Sequence, residues 1–562
     1  MNAVFKPARA ALAVASAAAV AGTALRFIGL SDRDFWFDES CTFLYVRNLF
    51  DWPFASSLLK ESTNLPYYFL LRLWAQAFGD SEAAYRSFSA LCAALTIPLL
   101  AAIAWRIRGA AAGAVGAVLA AFHPLHVHYA REARAYALWM LVLTVSLWLL
   151  VEACRRGGKW WIAYAAALFG CLHLHYWTAY IVPCTAAGVV LAANRRGALR
   201  AWLTTTVIVA LAFVPYFLAA VLPAAQGGGN LWIEPTWSPA TAILESLWAF
   251  LPAGAYPAHL RGLSLASPDL TAIGSPTLVR ISQTLPAILV TVSAAWVVVA
   301  AARRSPAQSE PRAQNRGHPL DAGLPTTRSI ERLGQTHILL AALTLGPLAL
   351  AWLYSALVRP NYLVGRYDLV AWPAAIVWVS LILVDACARL GGRARNMALS
   401  IACGALALSS VVPTARLLGF RPPPSFHRLR ADHLAGLAGS KDTIITLSYD
   451  CDYLYYYLHR AGYRGALRTF PSWLSGQIGW LDTDADLLRI DEARADADAL
   501  AASVAEILSR GGRVWLLADS LDPNNESPRA ALRATLVELL TRRGCTPSAW
   551  DDELRAHELQ CP

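Results

Sequence analysis

Two adjacent carboxylates, Asp38 and Glu39, stand in a run of aromatic residues that reads FWFDESCTFLY over residues 35–45. Aromatic rings favour the membrane interface, where a carboxylate is poorly hydrated. Desolvation and a like-charged neighbour both favour the protonated form of an acid, an environment that suits a general base. A solvated acid pair in a polar loop is the alternative, and the pattern alone gives the two interpretations equal weight.

A second group of ionisable residues opens an apolar run and reads HPLHVHYAREARAYAL over residues 123–138. Ionisable groups at membrane depth are costly and usually face a cavity or a partner. Arg131 and Arg134 are spaced i, i+3 and therefore share one face of a helix. Two guanidinium groups on one face can bind phosphate oxygens, although one of them could instead reach lipid headgroups.

The histidines offer a metal site as a weaker alternative. His123, His126 and His128 lie in the same stretch, and His173 and His175 lie in another outer turn. Imidazole is the commonest metal ligand in its neutral form, but this spacing matches no metal-binding signature and the chain has no C-x-x-C pair for zinc. We therefore predict that no cofactor is required and keep a divalent metal at the first three histidines as the alternative.

Two further stretches mix aromatic and charged residues. Residues 61–74 read ESTNLPYYFLLRLW, an amphipathic pattern that predicts a helix lying on the membrane surface. Residues 358–369 read VRPNYLVGRYDL and place the guanidinium of Arg366 beside Tyr367 at the start of an apolar run. Anchoring at the membrane interface is the alternative role for Arg366.

The composition around these residues is that of a polytopic membrane protein. Of 562 residues, 56% are hydrophobic and only 15% are charged, whereas soluble domains carry about 25% charged residues. The net charge of +10 is explained by Lys and Arg in cytoplasmic loops. No interleaving of basic and aromatic residues suggests a nucleic-acid partner, so the bilayer itself is the predicted partner.

Eleven apolar runs approach the length of about 20 residues that a membrane-spanning helix needs. The first is interpreted as a retained span rather than a cleaved signal peptide. The predicted spans are 9–29, 84–104, 109–123, 135–153, 160–174, 177–193, 201–222, 284–302, 337–357, 367–388 and 396–415.

Basic clusters alternate with less basic loops along the chain, and the positive-inside rule places the clusters in the cytoplasm. The loops 30–83 and 223–283 are then extracytoplasmic, and the segment 303–336 is a cytoplasmic linker. Composition changes near residue 416, where short β-branched runs alternate with helical stretches. We therefore predict a transmembrane domain over 1–415 and an extracytoplasmic α/β domain over 416–562, in which Cys545 and Cys561 could form a disulfide.

Taken in order, these stretches resemble the GT-C superfamily of integral-membrane glycosyltransferases, in particular bacterial members related to protein O-mannosyltransferases and to the lipid A aminoarabinose transferase. The resemblance covers about residues 10–415 and rests on the motifs WFDE, LPYY with LRLW, YAREARAY and GRY. The chain departs from these relatives at Asn64-Leu65-Pro66, where they commonly read His-Pro-Pro.

The resemblance implies a mainly α, GT-C-type helix bundle of about eleven spans that transfers a sugar, with inversion, from a polyprenyl-phosphate donor. The acceptor is a hydroxyl of a protein, lipid or glycan, and the active site faces the periplasm from the plasma (bacterial inner) membrane. Asp38 is the expected general base, with Glu39 and Glu132 as supporting acids. The residues expected to bind the donor phosphate are Arg131, Arg134, Arg366 and Tyr367. The residues expected to bind substrate are Asn64, Tyr67, Tyr68, His128 and Tyr136.

A transporter or flippase of lipid-linked sugars is the competing function. Transporters often carry internal repeats and broken helices near the bilayer midplane, whereas the ionisable residues here cluster towards one face and no repeat is found. A membrane scaffold that displays the tail would explain the tail but not the acids. The sequence does not identify the sugar or the acceptor.

Overall fold

A computed structural model of the protein describes most of the chain. The described residues are 2–50, 64–192, 196–222, 237–251, 327–388, 390–419, 421–447, 450–470, 490–517, 528–542, 544–547 and 556–560. These residues are mostly helical and contain one small sheet, which confirms the predicted fold class.

The helices described by the structure are numbered in chain order. They are α1 Asn2–Phe27, α2 Phe37–Asn48, α3 Leu65–Phe78, α4 Glu82–Arg108, α5 Ala110–Phe122, α6 Pro124–Ala130, α7 Tyr136–Arg156, α8 Lys159–Leu174, α9 Ile181–Ala192, α10 Arg196–Tyr216, α11 Ala242–Ala249, α12 Thr327–Leu357, α13 Trp372–Cys387, α14 Gly392–Gly419, α15 Phe426–Leu437, α16 Asp450–Arg460, α17 Ile490–Ser509 and α18 Pro528–Arg542. Short 3-10 turns cover Tyr176–Tyr180 and Asp368–Ala371, and a π-helical turn covers Phe217–Val221.

The chain divides into two compact units. The bundle unit comprises Met1–Leu30, Arg86–Pro215 and Asn230–Phe420, and the tail unit comprises Ser31–Tyr85, Tyr216–Gly229 and Arg421–Pro562. The first predicted outer loop thus belongs to the same unit as the C-terminal tail. The domain boundary predicted near residue 416 stays a prediction.

Among the described residues, seven helices are long and apolar enough to cross a membrane, or up to eight if the bent pair α5 and α6 is one span. Ten of the eleven predicted spans coincide with helical segments, although α8, with 16 residues, is shorter than these seven. The predicted span 284–302 and most of the linker 303–336 lie outside the described residues. The chain is a multi-pass membrane protein, while the total of eleven spans remains a prediction.

The break between α5 and α6 bends the chain by 57° and follows from Pro124. Proline has no N–H to donate, and it drives the preceding residue into extended backbone; His123 accordingly has ψ 115°. The carbonyls left open at the end of α5 are bound by buried Arg26, which donates to the oxygens of Ala120 at 2.8 Å and Ala121 at 2.9 Å. A side chain on α1 thus satisfies the interrupted helix end.

The tail unit contains a five-stranded sheet in the order β2-β1-β3-β5-β4. The strands are β1 Thr443–Leu447, β2 Ala466–Phe470, β3 Val514–Leu517, β4 Thr546–Pro547 and β5 Ala556–Gln560. β1 is parallel to β2 and β3, while β5 is antiparallel to β3 and β4. Apolar residues of α17 and α18 pack on the sheet and form its core. The predicted α/β tail is therefore confirmed; Cys545 is disulfide-bonded, and Cys561 lies outside the described residues.

An ion pair ties the two central parallel strands of this sheet together. Asp442, just before β1, accepts from the main-chain N–H of Arg513 at 2.8 Å and lies 3.0 Å from its guanidinium. Burial alone would raise the pKa of Asp442, but hydrogen bonds from main-chain N–H groups and the charge of Arg513 lower that pKa below its ordinary value. The ionised carboxylate therefore stabilises the folded tail.

Candidate active site

The two adjacent acids of the first outer loop lie in the first turn of α2. Asp38 is 9% exposed and Glu39 is fully buried. Helix N-termini favour negative charge because their N–H groups are unpaired. Glu39 Oε2 lies 3.4 Å from the N–H of Trp36, and the carbonyl of Asp38 accepts from Thr42 Oγ1 at 2.9 Å. The acids are therefore held by a helix and are not freely solvated.

Helix α3 carries two of the residues predicted to bind substrate, Tyr67 and Tyr68, and a third, Asn64, directly precedes it. Asn64 is the residue before the helix, and its carbonyl accepts from the N–H groups of Tyr67 at 2.9 Å and Tyr68 at 3.3 Å. Both tyrosines are buried, and the ring of Tyr68 lies 4.9 Å from that of Tyr45 on α2. These rings pack α3 against α2, and their role in substrate binding stays a prediction.

The opposite end of α2 is capped from α3. Arg72 donates from Nη1 to the carbonyls of Val46 and Arg47, each at 2.7 Å. A cation at a helix C-terminus satisfies open carbonyls and interacts favourably with the helix dipole. α2 therefore has acids at its N-terminus and a guanidinium at its C-terminus, an arrangement that stabilises a helix of only 12 residues.

In the bundle unit, Glu132 pairs with His128. The distance between Glu132 Oε1 and His128 Nε2 is 3.0 Å, and both side chains are buried. Sequence analysis assigned Glu132 to the supporting acids and His128 to the substrate-binding residues. The structure brings the two together, so Glu132 can orient the imidazole of His128 or accept a proton from it.

Arg131 follows α6 and is almost completely buried. Its guanidinium donates to the carbonyl of Leu417 at 2.9 Å and to that of Gly29 at 2.8 Å. These acceptors are 286 and 102 residues away in the sequence, so Arg131 joins distant segments of the bundle. Phosphate binding by Arg131 stays a prediction.

Arg366 is held between two tyrosines. Its Nε donates to the hydroxyl of Tyr136 at 2.6 Å. Its guanidinium carbon lies 5.4 Å from the ring centre of Tyr136 and 5.8 Å from that of Tyr367, within the range of cation–π attraction. Arg366 is 8% exposed, so the tyrosines orient a cation from which most water is excluded.

The turn before Arg366 requires glycine. Gly365 has φ +72°, in the left-handed region that L residues with a side chain rarely adopt. Its carbonyl accepts from the hydroxyl of Tyr129 at 2.5 Å. The GRY motif is thus a turn, fixed by one glycine and one distant hydroxyl, that places Arg366 and Tyr367.

His175 is a residue that sequence analysis considered only as a possible metal ligand. Its ring stacks on Trp139 at 4.3 Å and lies 5.1 Å from the ring of Tyr367. Burial, and then the charges of Arg366 and Arg134, lower the pKa of His175 to about 3. The positive charges of Arg134 and Arg366 therefore both favour the neutral form of the His175 imidazole. The available sequence signal for His175 was its position in a turn between two apolar runs.

The other histidines of the outer stretch point to different partners. His126 Nδ1 lies 2.7 Å from Arg26 Nη2, and its ring stacks on Trp372 at 4.5 Å. His123 meets the same indole edge-on at 5.3 Å, whereas His128 binds Glu132. Within the described ranges, no group of three or more His, Cys, Asp or Glu side chains is arranged to hold a metal ion.

Comparison with known proteins connects this geometry to a family. Residues 65–222 match the family of dolichyl-phosphate-mannose-protein mannosyltransferases. No curated protein sequence matches the chain significantly.

The two solved structures described next are distant from this chain in sequence. The oligosaccharyltransferase of Archaeoglobus fulgidus, tethered with an acceptor peptide, is 12% identical with a TM-score of 0.49; the alignment covers 81% of this chain and 63% of that one. ArnT from Cupriavidus metallidurans bound to undecaprenyl phosphate is 15% identical with a TM-score of 0.43, and the alignment covers 98% and 97% of the two chains. This chain thus spans less than two thirds of the archaeal protein. The match over residues 65–222 confirms the resemblance drawn from the motifs: this part of a multi-pass membrane protein is similar to membrane glycosyltransferases that use a lipid-phosphate sugar donor.

Proposed function

We propose that this protein transfers a sugar from a polyprenyl-phosphate donor to an acceptor hydroxyl, with inversion, at the extracytoplasmic face of the membrane. The family matched by residues 65–222 is named for a lipid-phosphate sugar donor, which supports this donor class. The observation that carries the proposed chemistry is the burial of Asp38 beside Glu39 in the first turn of α2. A carboxylate held in this way is an oriented proton acceptor.

The reaction is a single displacement at the anomeric carbon. The acceptor oxygen attacks this carbon from the face opposite the phosphate, its proton passes to the carboxylate of Asp38, and the bond from the anomeric carbon to the phosphate oxygen breaks. Glu39 and the His128–Glu132 pair orient hydroxyl groups. A phosphate monoester is a good leaving group, so no general acid is needed.

The leaving polyprenyl phosphate gains negative charge, and the cations of the bundle unit stabilise it. Arg366 is oriented by Tyr136 and Tyr367 and is largely desolvated, which strengthens its interaction with an anion. Arg134 acts on the same neutral imidazole as Arg366. Two guanidinium groups match in number the two non-bridging oxygens of the phosphodiester.

The test is the Asp38→Asn variant, which keeps the size of the side chain and removes the base. We expect transfer to fall by about 10²- to 10⁴-fold, the range typical of general-base catalysis, while the protein still inserts in the membrane. Asp432→Asn is the control, because Asp432 is an exposed acid of the tail, with its side chain 56% accessible.

The measurement is mass spectrometry of lipid extracts from cells that carry each variant. Active enzyme converts the polyprenyl-phosphate sugar into free polyprenyl phosphate, and Asp38→Asn lets the sugar lipid accumulate. Wild-type conversion by Asp38→Asn would remove Asp38 from the mechanism. Passage of unmodified sugar lipid across the membrane, without release of polyprenyl phosphate, would indicate a transporter.

A further inference from the structure

We propose that the C-terminal tail is a positioning device for the carboxylate helix: its tyrosine-rich helix α16 and the segment before α15 hold α2 and the chain that leads into it. The inference rests on the proposed function, because that function makes the placement of Asp38 important. All the contacts that carry it lie within the tail unit.

Aromatic rings on one face of α16 meet the rings that surround the acids. The ring of Tyr456 lies 4.5 Å from that of Phe35 and 4.8 Å from that of Phe43. Tyr453, one turn earlier on the same face, lies 5.8 Å from Phe37. These separations are those of favourable aromatic pairs. The rings of the FWFDESCTFLY run therefore pack against the tail, on both sides of the two acids in the sequence.

A buried hydrogen bond also fixes the main chain of Phe35 against α16. The hydroxyl of Tyr457 accepts from the main-chain N–H of Phe35 at 2.7 Å. Phe35 lies three residues before Asp38, outside any helix, where the chain turns into α2. A buried N–H must be bonded to avoid a free-energy cost, so Tyr457 fixes the path by which the chain enters the helix.

Ion pairs hold the preceding residues. Arg428 Nη1 lies 2.9 Å from Asp34 Oδ1, and the N–H of Ser425 donates to Asp34 Oδ2 at 2.6 Å. Arg421 Nε lies 2.9 Å from Asp32 Oδ2. Such partly exposed ion pairs contribute little individually, but two of them and one hydrogen bond, all within three residues, restrict the segment before α2.

The last turn of α16 makes a further attachment. His459 Nε2 lies 2.7 Å from Asp80 Oδ2, and its ring lies 5.6 Å from that of Phe43. Asp80 follows α3, which caps α2 through Arg72. The tail therefore contacts both helices of the first outer loop.

α2 needs such support because a helix of 12 residues is marginal by itself in water. A base must also be placed accurately, since a displacement of about 1 Å can reduce a rate about 100-fold. The same contacts exclude most water from Asp38. A tail that only bound acceptor would need none of these bonds to the segment before α2.

The test is Tyr457→Phe, which keeps the ring and removes the hydroxyl bonded to Phe35. Tyr463→Phe is the matched control, since the Tyr463 hydroxyl donates to the carbonyl of Asp442 at 2.8 Å inside the tail. We expect kcat for release of polyprenyl phosphate to fall about tenfold in Tyr457→Phe with the acceptor KM unchanged. Tyr463→Phe should keep the wild-type kcat.

Cys41 on α2 provides a readout that does not depend on activity. It is a free thiol, 3% exposed, and its labelling by N-ethylmaleimide can be followed by peptide mass spectrometry of the full-length protein. We expect faster labelling of Cys41 in Tyr457→Phe and in Tyr456→Leu, and wild-type labelling in Tyr463→Phe.

The outcomes separate this inference from the proposed function. Faster labelling of Cys41 together with a reduced kcat in Tyr457→Phe supports both the positioning role of the tail and the proposed function. Faster labelling with unchanged kcat supports positioning by the tail and counts against Asp38 as the base. Wild-type labelling in both Tyr457→Phe and Tyr456→Leu overturns the positioning role. If the acceptor KM rises in these variants while labelling and kcat stay at the wild-type level, the tail is an acceptor-binding module instead.

Discussion

Replacement of Arg366 by alanine separates a phosphate-binding cation from a structural anchor. The wild-type guanidinium is 8% exposed, donates to the Tyr136 hydroxyl at 2.6 Å and lies over the rings of Tyr136 and Tyr367. Part of its surface is therefore used for packing, whereas in the proposed reaction the guanidinium also meets the donor phosphate. Phosphate binding and packing by Arg366 therefore predict different effects of the alanine substitution: a catalytic loss and a structural loss.

The catalytic loss follows from the charge that develops on the leaving phosphate. Removal of one preorganised donor in a water-poor site typically reduces kcat by about 10²- to 10³-fold, or about 2.7–4 kcal/mol. The structural loss comes from one hydrogen bond to a charged group, about 1.5–3 kcal/mol, and cation–π attraction of up to about 2 kcal/mol. Arg366→Ala should lose both the catalytic and the structural contributions of the guanidinium, whereas Tyr136→Phe should lose only the hydrogen bond to it.

The assay is donor-dependent release of polyprenyl phosphate by purified protein in detergent, together with thermal unfolding of the same samples. We expect the donor kcat/KM of Arg366→Ala to fall about 10²- to 10³-fold, while Tyr136→Phe stays within about tenfold of wild type. Arg366→Lys should be intermediate, because lysine keeps the charge but lacks the planar guanidinium fork.

Unchanged donor kinetics in a folded Arg366→Ala protein would refute the phosphate role and leave Arg366 as an anchor. Equal losses in Arg366→Ala and Tyr136→Phe would also refute it, because the second variant retains the cation. If Arg366→Ala lowers the melting temperature without changing the donor kcat/KM, the role of Arg366 is in packing.

Two predictions concern stability. Main-chain N–H groups and Arg513 lower the pKa of Asp442 in the folded protein. The ionised carboxylate therefore stabilises the folded tail fully above the pKa of about 3.9 that Asp442 has in the unfolded chain. This stabilisation is lost as the pH falls through the lower pKa of the folded state. Asp442→Asn should remove about 1–3 kcal/mol at pH 7, seen as faster proteolysis of the tail, whereas Asp432→Asn should not change the rate. Gly365→Ala forces a side chain at φ +72° and should cost about 1–2 kcal/mol; Gly404→Ala, in open space on α14, should not lower the melting temperature.

Hydropathy was sufficient to predict the membrane-spanning helices, because each depends on local composition. Ten of the eleven predicted runs coincide with helical segments, and the eleventh lies outside the described residues. The α/β character of the tail was predicted for the same reason. The motif set also indicated the resemblance to membrane glycosyltransferases that the match over residues 65–222 confirms, since each motif is a short local string.

The roles of single side chains could not be predicted in this way. The type and spacing of Arg131 suit an anion, and phosphate binding by it stays a prediction; what its local sequence does not show is that its guanidinium contacts the carbonyls of Leu417 and Gly29. His175 was considered only for a metal, and its neighbours Trp139 and Tyr367 are distant in the chain. The residues next to a side chain in the sequence do not identify such partners, because the partners depend on which helices pack together.

The sequence alone determined that this chain is a polytopic membrane protein, where its helices run and which acids and cations are available for chemistry, since periodicity and polarity are local properties. Tertiary structure alone decided that the Asp38–Glu39 helix packs on α16 of the tail, more than 400 residues away, and that Tyr136 orients Arg366 from 230 residues away. The physical reason is that burial and hydrogen bonding between distant segments depend on how the helices assemble, which no short stretch of the chain encodes.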